Sequence, residues 1–110
     1  MKNKTAKEEL WVKLPVRLLI EYDLTAKDIV LLAVLIDLSD RFGVSWPSLP
    51  TLAKLCSCSE RTVRRSEARL CDLGLITITK TGRESMIAIA DQTLISANEW
   101  SAIKHYRKAE

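Results

Sequence analysis

The sequence predicts an α+β domain, mainly helical, with one small β-hairpin and a helix after it. Three observations carry this. Residues 48–74 hold two short runs with helical apolar spacing, each preceded by a serine and separated by a tight turn. After Gly74 the apolar period shortens from helical to alternating. Ahead of both lies an almost continuously apolar stretch, residues 29–38, interrupted only by Asp37. With 110 residues the chain is long enough for one core but not for two independent ones.

Residues 1–9 are polar and carry Lys2, Lys4 and Lys7 without periodicity, so they read as a flexible basic arm. The alternative is that this arm follows phosphates or enters a minor groove. The folded domain is expected over residues 10–92. Residues 10–14 alternate and should be extended, and Pro15 suits the first position of a brief helix through Val16, Leu19 and Ile20. The next helix has the best-marked start: Thr25 and Asp28 stand at capping-box spacing, and Leu24 and Ile29 at staple spacing. It is expected to run to Arg41 or Phe42 and stop at Gly43. Its apolar centre implies burial on most sides, which makes it the scaffold for the other helices. The apolar run is far short of the roughly 20 residues a bilayer requires. Val44, Ser45 and Trp46 then form an extended link.

Ser48 can cap a helix carrying Leu49, Leu52, Ala53 and Leu55; Ser59 can cap a second carrying Val63 and Leu70, which Gly74 ends. Cys58 and Val63 occupy the staple positions that fix the angle at which the second helix leaves the turn. Glu60, Arg61, Thr62, Arg64, Arg65 and Arg69 fall largely on its outer side. This is the outline of a helix-turn-helix. Downstream, LITITK, TGRE and SMIAIA make two strands around a turn, with Ile76 and Ile78 facing one way together and Ile87 and Ile89 likewise. Lys80, Thr81, Gly82 and Arg83 are expected at the tip. Residues 93–110 form the last segment, a helix begun at Ser96, which has box spacing to Glu99, and continued through Trp100, Ile103 and Tyr106. Its stripe either closes the core or faces a second subunit. The first is preferred, because so small a domain has few other ways to bury a tryptophan.

LAKLCSCSERTVRR followed by LCDLGLI resembles the winged helix-turn-helix domains of phage and plasmid replication initiators and related bacterial regulators. The resemblance extends back through LTAKDIVLLAVLIDLSDRFG, similar to the first helix of those domains. Two positions depart from the pattern: Glu67 stands where an apolar residue is usual, and Ser57 where a glycine often sits in the turn. The resemblance implies that the hairpin is the wing, that the 44–46 link pairs with its sheet, and that the protein serves replication initiation or transcriptional control of a mobile element.

Charge agrees with an anionic partner. The formal net charge is +3, and Arg61, Arg64, Arg65 and Arg69 against Glu67 concentrate a local +3 within nine residues. In a helix-turn-helix bound to duplex DNA, side chains near the start of the second helix read base edges. Glu60, Arg61, Thr62 and Arg65 are therefore the expected base readers, since arginine grips guanine bidentately, glutamate accepts from cytosine and a threonine methyl meets that of thymine. Arg64 and Arg69 are expected at phosphates, with Ser48 and Thr51 ahead of them and Lys80 and Arg83 on the wing. The plain alternatives are a solvated helix face with pairs such as Glu60 with Arg64, and an ordinary solvated hairpin turn. For Glu67, a helix turned so that Ser66 and Leu70 point inward spares the carboxylate from burial.

Other classes find little support. The three cysteines are odd in number and no signal peptide precedes them, which fits a reducing cytoplasm and no disulfide. Cys56 and Cys58 lack zinc-type spacing, and His105 is distant, so all three cysteines read as small apolar residues and no metal is expected. One histidine, no glycine-rich phosphate loop and no G-x-S-x-G leave no catalytic constellation and no cofactor site. The expected partner is double-stranded DNA, with a homodimer possible and neither a membrane nor a small-molecule substrate evident. The rival expectation is a winged helix that binds protein and touches DNA only non-specifically.

Overall fold

A computed structural model describes residues 12–82 and 84–98. In chain order these form α1 (Val16–Glu21), α2 (Ala26–Leu38), β1 (Val44–Ser45), α3 (Leu49–Leu55), α4 (Glu60–Asp72), β2 (Ile76–Thr81), β3 (Glu84–Ile89) and α5 (Gln92–Ala97). The strands make a three-stranded antiparallel sheet in the order β1-β3-β2. Helices and sheet share one apolar core, to which α2 contributes Leu31, Leu32, Leu35 and Ile36 and the sheet Ile76, Ile87 and Ile89. The architecture is that of a winged helix-turn-helix. No helix among the described residues is long and apolar enough to cross a membrane.

The capping box that opens α2 is complete. Thr25 Oγ1 accepts from the Asp28 N–H at 3.1 Å, and Asp28 Oδ2 accepts from the Thr25 N–H at 2.9 Å. The far end differs from expectation, because α2 stops at Leu38 instead of reaching Arg41 or Phe42. Short polar side chains capture the backbone there. Ser39 turns extended and its hydroxyl donates to the Ile36 carbonyl, while Asp40 Oδ1 accepts from the N–H groups of Phe42 and Val44. Gly43 follows at φ +80°, and a Cβ on it would lie 2.6 Å from Ile95 Cδ1. The chain then enters β1, pairing Val44 with Ala88 and Ser45 with Ile87, as the resemblance implied.

Two short helices are placed differently from the sequence reading. Pro15 is the N-cap of α1 and not its first residue, and Leu18 is buried while Val16, Leu19 and Ile20 face outward. A helix this short is oriented by its tethers. Arg17 reaches Asp91 Oδ2 and Thr93 Oγ1, both at 3.3 Å, and the backbone of Lys13 exchanges two hydrogen bonds with the Asn98 amide at 2.7 and 2.9 Å. These bonds turn Leu18 toward the core. The last described helix, α5, begins at Asp91, whose carboxylate accepts from the Thr93 N–H, so Ser96 lies within a helix and does not start one. Trp100, Ile103 and Tyr106 lie outside the described residues.

The hairpin keeps the expected facing, with Ile76 opposite Ile89 and Ile78 opposite Ile87. Its strands run further than expected. Lys80 pairs with Ser85 and Thr81 with Glu84, and Gly82, at φ +64°, follows at the turn. Arg83 itself is outside the described residues.

Candidate nucleic-acid interface

The turn between α3 and α4 is built from backbone geometry that the sequence only half announces. Ser48 Oγ accepts from the Thr51 N–H to start α3. After the α3 cap at Cys56, Ser57 adopts φ +54°, its N–H donates to the Lys54 carbonyl, and the Cys58 N–H donates to Ala53. That pair of bonds is a Schellman ending, which requires a left-handed residue and explains why glycine is frequent at this place. Lys27 of α2 adds its ammonium, donating to the carbonyls of Cys56 at 3.2 Å and Ser57 at 3.4 Å. A cation at the negative end of a helix is favourable there.

Ser59 then caps α4 by accepting from the Thr62 N–H at 3.1 Å, and Val63, beside the half-buried Cys58, is buried at the staple position. Val63, Ser66 and Leu70 form the inward face, so the rotation that spares Glu67 full burial is the one adopted. Gly74, at φ +78°, ends α4 with a second Schellman pair, Leu75 N–H to the Leu70 carbonyl and Gly74 N–H to Cys71. Between the two ends Arg69 locks the helix to α2: its Nε donates to Asp28 Oδ2 at 2.7 Å and its Nη2 to the Asp23 carbonyl. Asp28 is only 1% exposed. Burial pushes its carboxyl up, but the Thr25 N–H and the Arg69 guanidinium more than offset this and hold it below the usual value.

Glu60, Arg61, Arg64 and Arg65 are exposed along the outer face of α4, and none forms a salt bridge with a described residue. The pair Glu60 with Arg64, which a solvated face would favour, is not made. The hydroxyl of Thr62 is shared with Ser59 at 3.0 Å, and those of Ser48 and Thr51 with each other at 2.8 Å. Lys80 is exposed on β2. Arg69 stands apart from this set, with its guanidinium committed to α2.

Between α4 and the hairpin runs a groove of about 620 Å³. Arg64 and Glu67 line it from α4, Lys80 and Glu84 from the hairpin, and Trp46 from the link before α3. Burial pushes the Glu67 carboxyl above its usual range, and Lys80 and Arg64 pull it part of the way back. Trp46 and the α2 pair Lys27 and Asp28 are the residues that sequence reasoning did not assign to the site. Trp46 had one available signal, a tryptophan in a polar link. The α2 pair had none, because Asp28 and Arg69 are 41 residues apart.

Cys56 is buried, and Cys58 and Cys71 are half-buried; all are free, and burial raises the thiols of Cys56 and Cys71. Among the described residues no cluster of histidine, cysteine and acids could hold a metal ion.

Two capped helices about a Schellman turn, an exposed cationic face on the second and a hairpin beside it define a helix-turn-helix domain. The family model described as a helix-turn-helix domain matches residues 22–76, which is 55 of 110 residues. The chain belongs to that family, whose motif is a DNA-binding one. The matched span covers α2 through α4 and reaches the first residue of β2. No curated protein matches the sequence.

Proposed function

We propose that this protein binds double-stranded DNA in a sequence-specific manner, without catalysis, with α4 in the major groove and the hairpin against the flanking backbone. The observation that carries the reading is the exposed row of Arg61, Arg64 and Arg65, none of which forms a salt bridge with a described residue. Helix-surface pairs contribute only about 0.2 to 0.5 kcal/mol each, so stability does not require this density of arginine, and Arg61 and Arg65 form no such ion pair with a described residue. Glu60, Arg61, Thr62 and Arg65 read bases; Ser48, Thr51, Arg64 and Lys80 meet phosphates, as does Arg83 if the tip reaches the backbone. Arg69 is reassigned from phosphate contact to orienting α4. The resemblance of LAKLCSCSERTVRR and LCDLGLI supports a role in replication initiation or transcriptional control of a bacterial mobile element, in the cytoplasm.

Selection from a random duplex pool, followed by anisotropy titration of the winning and scrambled duplexes at two salt concentrations, tests this. A winner bound about 10³-fold or more tightly than the scramble is expected. Arg61→Glu and Arg65→Glu should remove that preference and leave the fold intact. Equal, steeply salt-dependent binding to both duplexes would refute sequence-specific recognition.

A second reading concerns assembly. Val16, Leu19 and Ile20, spaced to share one face of α1, are 67%, 50% and 77% exposed. Such a stripe suits contact with a second copy, and one module of this size buries only about 600 to 1,000 Å² on DNA, which favours paired half-sites. Half-site spacing in the selected duplex and sedimentation of the complex measure this directly.

A further inference from the structure

The groove between α4 and the hairpin has a composition that base reading does not use. If α4 occupies the major groove and the hairpin the flanking region, the ridge passing between them is the backbone of one strand. The groove offers that ridge a cation from each wall, Arg64 on α4 and Lys80 on β2, with apolar surface from the half-buried Ile78 and Leu49. At its rim Trp46 is 54% exposed and has no ring or cation partner among the described residues. A large flat ring left open beside two cations is an arrangement that tracks nucleic-acid backbone while packing on its less polar parts.

Resting on the DNA-binding reading, we infer that this groove seats a sugar–phosphate segment of one DNA strand, with Trp46 against the deoxyribose, Arg64 and Lys80 on the phosphate, and Glu67 beneath it. An ionised Glu67 opposes that phosphate. The carboxyl faces Arg64 and Cys71 on its own helix, Lys80 on β2 and Glu84 on β3, and the segment from Trp46 to Pro50 brings no titratable group. Seating the phosphate adds a negative charge and engages both cations that favour the ionised form. Glu67 therefore takes a proton from solvent as DNA binds, and the neutral acid can donate to a phosphate oxygen. Affinity for the site then rises as pH falls.

The test uses the full chain with Trp11→Phe, Trp100→Phe and His105→Gln, which leaves Trp46 as the only tryptophan and removes the only histidine. The selected duplex is titrated at constant salt at about pH 5.5 and pH 7.5, following anisotropy and tryptophan emission. Saturation should quench Trp46, and affinity should be about fivefold or more higher at the lower pH. Glu67→Gln should flatten that dependence and bind at the higher pH as the parent does at the lower. If a preferred duplex binds while Trp46 emission is unchanged, or Glu67→Gln keeps the parent's pH profile, the seat is wrong and the DNA-binding reading stands. If no duplex is preferred, both fall.

Discussion

At the scale of single residues, the turn and the groove each hold one that works against local preference. Ser57 occupies the left-handed region at φ +54°, where a side chain costs about 1–2 kcal/mol relative to glycine. Glycine would in turn lose more entropy on folding, so Ser57→Gly should stabilise the protein by about 0.5–1 kcal/mol net, measured as a denaturant midpoint shift at unchanged slope. Glu67 has the opposite kind of cost. Its folded value is raised above the ordinary 4.5, so its penalty is absent at pH below 4.5 and grows as pH climbs through the folded value. Glu67→Gln should therefore stabilise the protein at pH 7 and be neutral near pH 4. Both positions were visible in the sequence as departures from a pattern. What was not visible was their consequence: a serine taking the left-handed place in a local Schellman ending in one case, and in the other a groove wall that exists only once the hairpin is set beside α4.

Among elements, α4 is aimed by α2. Asp28 serves two structures at once, closing the capping box of α2 and receiving Arg69 from α4. Its folded value is lowered from the ordinary 3.8, so its contribution is complete above that value and is lost as pH falls through the folded value. Asp28→Asn should cost about 1–3 kcal/mol at pH 7 by chemical denaturation, and the difference from the parent should close under strong acid. The box was legible because its residues are three apart; the clamp was not. The same contrast runs through the other elements. The ends of α3 and α4, the hairpin facing and the pairing of β1 followed from adjacent residues or from resemblance. The end of α2, the face of α1 and the start of α5 did not, because Ser39 and Asp40, Arg17 and Asn98, and Asp91 respectively settle them through bonds that apolar periodicity does not encode.

For the whole molecule, reading residues and backbone residues should separate in their salt response. Arg64→Ala and Lys80→Ala are each expected to lower the slope of log affinity against log salt by about 0.9 while keeping site preference. Arg61→Ala should instead relax preference at one position by roughly 1–3 kcal/mol. Titrations of each variant on matched and mismatched duplexes decide the assignment. The outward arginines were legible as charge density, and that Arg61, Arg64 and Arg65 form no salt bridge with a described residue only in three dimensions. Finally, two neighbouring residues on the first turn of α2 grip the motif at separate places: Lys27 holds the carbonyls of its turn, and Asp28 holds α4 well beyond it. The motif is therefore not portable. A peptide of residues 47–74 alone should give a largely coil-like circular dichroism spectrum, and a graft onto another scaffold would have to bring the first turn of α2 with it.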